Sequence, residues 1–320
     1  MHVLAPIERA YRAVNRVRRA LYRRGILRQE RAARPVISIG NRAIGGSGKT
    51  PAVIAVAEGL LERGIRPVVL TRGYGRRSAA EPLRVESNDA ARFGDEPVLI
   101  ARRLPAVPVV VGSRRAEAAR WFLAHGDCDV FLLDDGFQHL QLAREVDVVV
   151  ETPRARWYRE GPAALASADV LLVRDGRGDP QAVPPRFAAA LRATSWIESG
   201  VERPLGELRG QAAVAFAGLA DNEQFFASLR DLGVEVRETL GFPDHHAYAA
   251  GDLERVAQAR ARTSACIALT TEKDLVKIPH EGFSAVRVTM EIEPRAALFD
   301  LLAASVRREF RIPADGLWRP

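Results

Sequence analysis

The chain has 320 residues, of which 47% are hydrophobic and 27% charged, and its formal net charge is +7 at pH 7. This balance excludes an intrinsically disordered protein, and the length allows two domains of ordinary size. The excess of basic residues favours an acidic partner, such as a nucleotide, a phosphorylated substrate, a nucleic acid or an anionic membrane. The two cysteines form neither a metal-binding pattern nor a disulfide framework, which fits a reducing compartment.

The first 30 residues are predicted to form a basic amphipathic helix, over residues 4–27. One face collects the apolar residues Leu4, Ile7, Tyr11, Val14, Val17 and Leu21, and most arginines lie elsewhere. Such a helix can lie in a membrane interface with its apolar face down. It can equally pack that face on its own domain and leave the arginines in solvent. Both readings stay open at this point.

A strand, a glycine-rich loop and a helix follow one another from Pro35 to Arg63. The β-branched run 35–39 predicts the strand, and apolar residues at helical spacing predict the helix from Ala52. Backbone N–H groups of such a loop and the helix N-terminus bind phosphate, and Lys49 adds a full positive charge. The hydroxyl of Thr50 is a ligand for Mg²⁺. This stretch therefore predicts a nucleoside triphosphate site, although Ala43 stands where the general motif has glycine.

Further strands and helices alternate along the rest of the chain. Strands are expected at 67–71, 107–111, 129–135, 146–150 and 170–173, with helices ending near 101 and spanning 114–125. A stretch rich in proline, arginine and glycine, 175–204, looks like a crossing between domains, interrupted by a helix around Phe187–Arg192. Strands at 212–217, 234–240, 266–270 and 286–288 then alternate with helices at 222–232, 252–262 and 295–310.

This alternation predicts an α/β fold with a doubly wound, mostly parallel sheet of the P-loop type and a second, smaller α/β domain. We place the nucleotide-binding domain at residues 31–200 and the second domain at 205–320. Ligands of such sheets bind at the carboxyl ends of the strands.

Two carboxylates end the apolar run that begins at Val130. In nucleotide-binding sheets such a strand lies beside the phosphate-loop strand, so Asp134 is expected to reach Mg²⁺ directly or through water. Gln138 and His139 follow at the same strand end. Arg115, at the start of a helix, is well placed for an anion.

Two residues are candidates for the general base that a hydroxyl nucleophile needs. Asp95 lies in Gly94-Asp95-Glu96-Pro97, which we expect to be a loop at the same face of the sheet. His245 lies in the second half and is followed by His246, but adjacent side chains seldom bind one ion, and no third ligand lies at useful spacing. The run Thr271-Glu272-Lys273-Asp274 is expected to be a solvated, capped helix start.

Taken together and in this order, these pieces resemble the tetraacyldisaccharide 4′-kinase family of lipid A biosynthesis, over most of the chain. The motifs that carry the resemblance are Ser38-Ile39-Gly40-Asn41, Gly45-Gly46-Ser47-Gly48-Lys49-Thr50-Pro51, Arg72-Gly73-Tyr74-Gly75, Gly94-Asp95-Glu96-Pro97, Asp134-Asp135-Gly136-Phe137-Gln138-His139, Phe216-Ala217-Gly218-Leu219, Phe242-Pro243-Asp244-His245-His246-Ala247-Tyr248 and Thr271-Glu272-Lys273-Asp274-Leu275-Val276-Lys277. The motifs around Asp134 and around His245 are specific to that family.

The resemblance implies a peripheral kinase on the cytoplasmic side of the inner membrane. It would move the γ-phosphate of ATP to the 4′-hydroxyl of a tetraacyldisaccharide 1-phosphate, an anionic glycolipid. No nucleic acid and no obligate protein partner are implied. The residues that would hold ATP are Ala43, Ile44, Gly45, Gly46, Ser47, Gly48, Lys49 and Thr50.

The resemblance also assigns roles within the site. Thr50 and Asp134 would serve Mg²⁺, and Asp95 with His245 would activate the acceptor hydroxyl. The supporting side chains would be Asp135, Gln138, His139 and Arg115.

One segment departs from the family pattern. Between residues 152 and 165 the chain retains little beyond Gly161-Pro162, so acceptor recognition is the property left open. A P-loop kinase of the same build for another glycolipid or small hydroxyl acceptor is therefore one alternative. An ATP-dependent switch or accessory protein is another, and a nucleic-acid-binding ATPase is disfavoured because the basic helix carries no aromatic stacking platform.

Overall fold

The computed structural model describes residues 5–43, 48–74, 81–152, 157–279 and 281–309. The helices of these ranges are α1 (Ala5–Arg23), α2 (Lys49–Leu61), α3 (Ala90–Phe93), α4 (Asp95–Arg103), α5 (Arg115–Leu123), α6 (Asn222–Asp231), α7 (Ala250–Arg262), α8 (Glu272–Leu275) and α9 (Arg295–Glu309). The strands are β1 (Val36–Asn41), β2 (Pro67–Thr71), β3 (Leu83–Arg84), β4 (Val109–Val111), β5 (Val130–Asp134), β6 (Val146–Glu151), β7 (Val170–Arg174), β8 (Arg186–Glu198), β9 (Val201–Pro204), β10 (Ala212–Ala217), β11 (Glu235–Gly241), β12 (Ile267–Thr271) and β13 (Ser284–Glu293).

Within the described ranges the strands form one sheet in the order β11-β10-β12-β13-β8-β7-β6-β1-β5-β2-β4-β3, with β9 paired to β8. Neighbouring strands are parallel except at β3–β4, β8–β9 and β8–β13. The mostly parallel, doubly wound sheet predicted from the sequence is therefore confirmed.

The continuous apolar run of β5 shows why the sheet carries helices on both faces. Val130 and Leu132 belong to the core beneath α2 and α9, whereas Phe131 and Leu133 belong to the core beneath α5. Successive side chains of a strand point to opposite faces, so a strand covered on both sides needs apolar residues at every position. The same register places the end of β5 beside β1, with Ile39 opposite Asp134.

The helix predicted around Phe187–Arg192 is wrong, because these residues lie in the long strand β8. Alanine, leucine and arginine favour a helix locally. Here the segment is parallel to β7 on one side and antiparallel to β13 on the other, and Phe187 and Ala189 are buried. Tertiary pairing therefore overrides the local propensity.

The segment 175–204, predicted as a crossing between two domains, therefore contributes the strands β8 and β9 to the sheet. The β8–β13 pairing extends over ten residue pairs from Glu198↔Ser284 to Ala188↔Glu293. The sheet is continuous through the two predicted units, and the boundary between them stays a prediction. The fold of the second half also brings Val276 into a core with Phe93 and Val98 of the first half.

Candidate active site

The phosphate loop predicted after β1 is described at its two ends. Ala43 is buried, and Gly48, Lys49 and Thr50 lead into α2, whereas Ile44, Gly45, Gly46 and Ser47 lie outside the described residues. Gly48 has φ 84°, and a Cβ there would lie 3.0 Å from the Met290 side chain. Glycine is therefore required at the residue that turns the chain into the helix.

The ammonium group of Lys49 lies among polar groups from two neighbouring strands. Its Nζ is 3.4 Å from Asn41 Oδ1, at the end of β1, and 3.3 Å from Asp135 Oδ1, just after β5. The structure thus brings together the predicted phosphate-binding lysine and the predicted acidic pair.

Asp134 is almost fully buried at the carboxyl end of β5. Its Oδ2 accepts a hydrogen bond of 2.9 Å from Thr71, and within the described ranges its Oδ1 has no hydrogen-bond partner. Burial, with Glu96 and Asp135 nearby, raises the pKa of Asp134 to about 7. A buried carboxylate oxygen without a hydrogen-bond partner among the described residues, with two further carboxylates nearby, fits a divalent cation.

Magnesium in kinase sites is commonly held by one or two protein oxygen ligands together with substrate phosphates. In the described part of the chain there is no cluster of three or more His, Cys, Asp or Glu that could hold a metal. Asp134, with the hydroxyl of Thr50, fits the sparse protein contribution that a nucleotide-bound Mg²⁺ needs.

Asp135 and Gln138 are held by a residue that the sequence analysis did not identify. Arg159 Nη1 donates to Asp135 at 3.0 Å and to Gln138 Oε1 at 3.3 Å. Gln138 Nε2 in turn donates to the Asn41 carbonyl and to Glu160 Oε1, each at 2.9 Å. Burial opposes ionisation of Asp135, but the charges of Lys49 and Arg159 outweigh it and keep its pKa below the usual value.

Arg159 and Glu160 lie inside the segment that departs from the family pattern. In the sequence they are an adjacent arginine and glutamate immediately before Gly161. No local chemistry marks such a pair, because surface pairs of this kind are common. Only the fold shows that both reach the strand ends.

His139 lies in a part of the site where arginines, Arg115 among them, supply positive charge. Burial, followed by the charges of Arg115, Arg144, Arg18 and Arg72, lowers the pKa of His139 to about 3, so its imidazole is neutral. Arg115, the first residue of α5, is almost fully buried, and burial lowers its pKa to about 10. Its Nη1 donates to the Ser113 carbonyl, and its Nε has no partner within the described ranges. This concentration of positive charge fits a phosphate or another anion.

The two candidate bases, 150 residues apart in the sequence, are in contact. His245 Nδ1 lies 2.9 Å from Asp95 Oδ2 and 3.2 Å from Oδ1. Asp95 is not in a loop, as the sequence suggested, but is the first residue of α4. Acidic residues in a first turn with proline close behind are start signals of a helix, and the backbone N–H of Glu96 donates to Asp95 Oδ1 at 2.9 Å.

His245 is held in an uncommon backbone conformation, with φ 58°. Such values in residues other than glycine are costly and concentrate at functional sites. The ring of Tyr74 lies 5.2 Å from the imidazole, centroid to centroid. His246 points elsewhere, bonding Asp252 and stacking on Phe242, so the two adjacent histidines do not share a ligand.

The helix start at Thr271–Asp274 was expected to be solvated, and this expectation is wrong. Thr271 does cap α8, but Asp274 is fully buried. Lys273 Nζ lies 3.2 Å from His245 Nε2, 3.3 Å from Asp244 Oδ1 and 3.6 Å from Glu96 Oε1. Lys273 is therefore a third site residue, after Arg159 and Glu160, that local sequence chemistry missed.

The contacts shift both pKa values of the acid–base pair. The hydrogen bond that His245 donates to Asp95 outweighs partial burial and raises the pKa of His245. Burial opposes ionisation of Asp95, but the His245 hydrogen bond and the charge of Lys273 outweigh it and lower its pKa. The pair consists of an ionised carboxylate and an imidazole whose two nitrogens are both occupied.

This arrangement combines a lysine at a phosphate-binding helix, a buried carboxylate suited to Mg²⁺, and a carboxylate–imidazole pair. The charge of Glu96, next to Asp95, contributes to the raised pKa of Asp134 at the phosphate side. Together they provide what transfer of a phosphoryl group to a hydroxyl requires.

Comparison with known proteins gives a consistent result. A family model described as tetraacyldisaccharide-1-P 4′-kinase matches residues 1–307. A tetraacyldisaccharide 4′-kinase from Anaeromyxobacter dehalogenans (strain 2CP-C) is 42% identical over 302 residues, which covers 85% of this chain and 79% of the relative. One from Haemophilus influenzae (strain 86-028NP) is 36% identical over 290 residues, covering 86% and 83%.

A solved structure is also similar over nearly its whole length. The crystal structure of LpxK from Aquifex aeolicus in complex with ATP matches with a TM-score of 0.76 and 31% sequence identity, covering 95% of this chain and 98% of that chain. The family-model match and these relatives agree with the resemblance seen in the motifs. The chain belongs to the tetraacyldisaccharide-1-P 4′-kinase family.

Proposed function

We propose that this site transfers the γ-phosphate of ATP to the 4′-hydroxyl of tetraacyldisaccharide 1-phosphate, with Asp95 as general base. Membership of the family makes the chain an ATP-dependent kinase of lipid A biosynthesis. The observation that carries the residue-level proposal is the 2.9 Å contact between His245 Nδ1 and the buried Asp95 carboxylate.

The phosphate side of the reaction falls to the loop before α2. Lys49 would bind the β- and γ-phosphates of ATP, and residues 43–50 would surround them. Thr50 and Asp134 would hold Mg²⁺, which neutralises charge on the phosphates. Asp135 would keep the Lys49 ammonium in place through their 3.3 Å ion pair.

On the acceptor side, a proton must leave the 4′-hydroxyl as its oxygen bonds to the γ-phosphorus. In our proposal the Asp95 carboxylate takes that proton while the bond from the γ-phosphorus to the bridging oxygen breaks and ADP leaves. His245 is less suited to be the base, because its Nε2 faces the Lys273 ammonium at 3.2 Å and its Nδ1 contacts Asp95. His245 would instead orient Asp95 and stabilise its charge.

A transfer assay tests this proposal. ATP labelled in the γ-position is incubated with Mg²⁺ and tetraacyldisaccharide 1-phosphate in detergent micelles, and a soluble glucosamine acceptor serves as the parallel arm. We expect label on the lipid alone. In Lys49→Ala the rate of transfer should fall by several orders of magnitude. Label only on the soluble sugar would contradict the acceptor, and a near-normal rate in Lys49→Ala would contradict the site.

We further propose that the chain is peripheral at the cytoplasmic side of the inner membrane and contacts it through α1. Within the described residues, no helix combines the length and apolarity that crossing a bilayer demands. On α1 the apolar side chains of Tyr11, Val14 and Val17 are 48%, 62% and 58% exposed, whereas Asn15 and Arg19 are buried. Among the described residues, the part of the apolar face formed by Tyr11, Val14 and Val17 is thus left uncovered.

Arginines flank this exposed apolar stripe, which suits an anionic lipid surface. The triple variant Tyr11→Ser, Val14→Ser, Val17→Ser should sediment less with vesicles containing anionic lipid, while its ATP affinity stays unchanged. Unaltered co-sedimentation would contradict a membrane role for the stripe. The arginines around His139 also favour an anionic partner. That the chain binds no nucleic acid and needs no obligate protein partner stays a prediction.

A further inference from the structure

The buried side of α1 contacts residues 158–160, which lie beside Gln138 and Asp135 of the site. Asn15 Nδ2 donates to the Arg159 carbonyl at 3.0 Å, and the Tyr158 amide donates to Glu8 Oε1 at 3.1 Å. Arg19 lies deepest, with only 7% of its surface exposed. Helix α1 therefore exposes its apolar stripe and binds residues 158–160 through its polar side.

Arg19 makes a bidentate ion pair with Glu160. Its Nε lies 2.9 Å from Oε2 and its Nη2 lies 2.8 Å from Oε1, and both side chains are less than a tenth exposed. Arg19 Nη2 also donates to the Phe137 carbonyl at 3.1 Å, and its guanidinium lies 4.2 Å from the centroid of the Phe137 ring. This planar, forked geometry is one that lysine cannot reproduce.

The pair continues directly into the site. Glu160 Oε1 accepts from Gln138 Nε2, and Gln138 Oε1 accepts from Arg159, which also bonds Asp135. Asp135 is the ion-pair partner of Lys49. A chain of side-chain contacts thus leads from α1 to the phosphate-binding lysine.

We propose that Arg19 is a positioning residue for phosphoryl transfer, which acts through Glu160 and Arg159 to hold Gln138 and Asp135 beside Lys49. The position of α1 against residues 158–160 would then determine the geometry of the nucleotide site. Because the outer face of α1 is the proposed membrane contact, the same helix would touch both the membrane and the site. Removing one partner of a buried charge pair is destabilising, because the charge of the other partner is left buried and uncompensated. This inference rests on the proposed assignment of Lys49 to the phosphates.

The first test is kinetic and uses the full chain in detergent micelles at saturating acceptor. Arg19→Met should lower kcat about 10- to 100-fold, the range for groups that orient residues of a metal or phosphate site, with little change in KM for ATP. Arg19→Lys should recover part of that loss. Because the contacts act as one unit, adding Glu160→Gln to Arg19→Met should cost little more.

Arg63→Met is the matched control. Arg63 also pairs with a carboxylate, Asp300, and lies over a phenylalanine ring, Phe299, but it joins the end of α2 to α9. Because Asp300 is exposed, Arg63→Met should lower the free energy of unfolding by no more than about 1 kcal/mol and leave kcat unchanged. Equal loss of kcat in both variants would reduce Arg19 to a structural role and overturn the proposal.

Hydrogen exchange supplies a readout independent of turnover. In Arg19→Met, backbone amides of residues 136–139 and 157–160 should exchange faster, whereas in Arg63→Met they should not. Unchanged exchange there, or full kcat in Arg19→Met, would overturn the inference. If Lys49→Ala is inactive while Arg19→Met is normal, only this inference fails; if Lys49→Ala is active, the site assignment itself fails.

Discussion

At the scale of single residues, the contact between Asp95 and His245 links chemistry to stability. The folded-state pKa of His245 is raised, so its contribution to stability is fully present below its unfolded value of about 6.5 and is lost as the pH rises through the folded value. That of Asp95 is lowered, so its contribution is present above about 3.9 and is lost as the pH falls. The pair therefore stabilises the fold most in mildly acidic solution.

We expect His245→Asn to be more destabilising at pH 5.5 than at pH 8.5. Unfolding in urea at the two pH values measures this difference. The wild type, unfolded at the same two pH values, is the reference. A destabilisation by His245→Asn that is equal at both values would contradict the ion pair.

The residues of the site differ in how far the sequence predicts them. Lys49 and Thr50 belong to a local strand–loop–helix pattern whose physics is readable within about 15 residues. The pairing of Asp95 with His245 joins positions 150 apart, and local chemistry gave two separate candidate bases. Arg159 and Lys273 carry no local signal, because only the folded chain shows which of many charged residues face the strand ends.

At the scale of elements, α2 is held against α9 by an unusually close approach. A Cβ built on Gly59 would lie 2.5 Å from the Phe299 ring, a distance that real contacts do not reach. Phe299 is fully buried in the core beneath the sheet, so it has little freedom to move. The glycine in the middle of α2 is therefore a packing requirement.

Gly59→Ala should destabilise the protein by about 1–3 kcal/mol, because overpacking outweighs the better helix propensity of alanine, about 1 kcal/mol. Gly251→Ala is the control. Gly251 also lies in a helix, α7, but nothing lies within 4 Å of a Cβ built there. The melting temperature should fall for the first variant and stay level or rise for the second. A rise for Gly59→Ala would refute the close packing.

The elements also show what periodicity can and cannot decide. The pattern of α1 correctly groups Tyr11, Val14 and Val17 on one face, but it does not say whether that face meets the chain or solvent. The alanine-rich run of β8 favours a helix until its two partner strands are known. In both cases the deciding contacts are distant in the sequence.

At the scale of the whole molecule, a buried ion pair joins the two halves. Arg103 of α4 donates to Glu272 Oε2 at 2.8 Å, and Glu272 Oε1 accepts from Arg287 of β13 at 3.0 Å. The side chains of Arg103 and Glu272 are only 7% and 10% exposed. Asp95 lies in the same helix as Arg103, and Lys273 follows Glu272, so this contact joins the two helices that carry Asp95 and Lys273.

Arg103→Met should therefore lower the free energy of unfolding by about 1.5–3 kcal/mol, the range for a lost hydrogen bond to a charged group, since Glu272 keeps its contact with Arg287. Arg203→Met is the control, because its pair with Glu198 is exposed and should contribute no more than about 1 kcal/mol. Equilibrium denaturation of both variants measures the difference. Equal, small losses would contradict a structural role for the buried pair.

The central claim is that Asp95 and His245 act as one unit in moving the acceptor proton. The most direct measurement is kcat for phosphate transfer to tetraacyldisaccharide 1-phosphate in the wild type, Asp95→Asn, His245→Asn and the double variant. We predict that the double variant is about as slow as the slower single one, since either change disables the same step. Losses that multiply in the double variant would show independent roles and contradict the account.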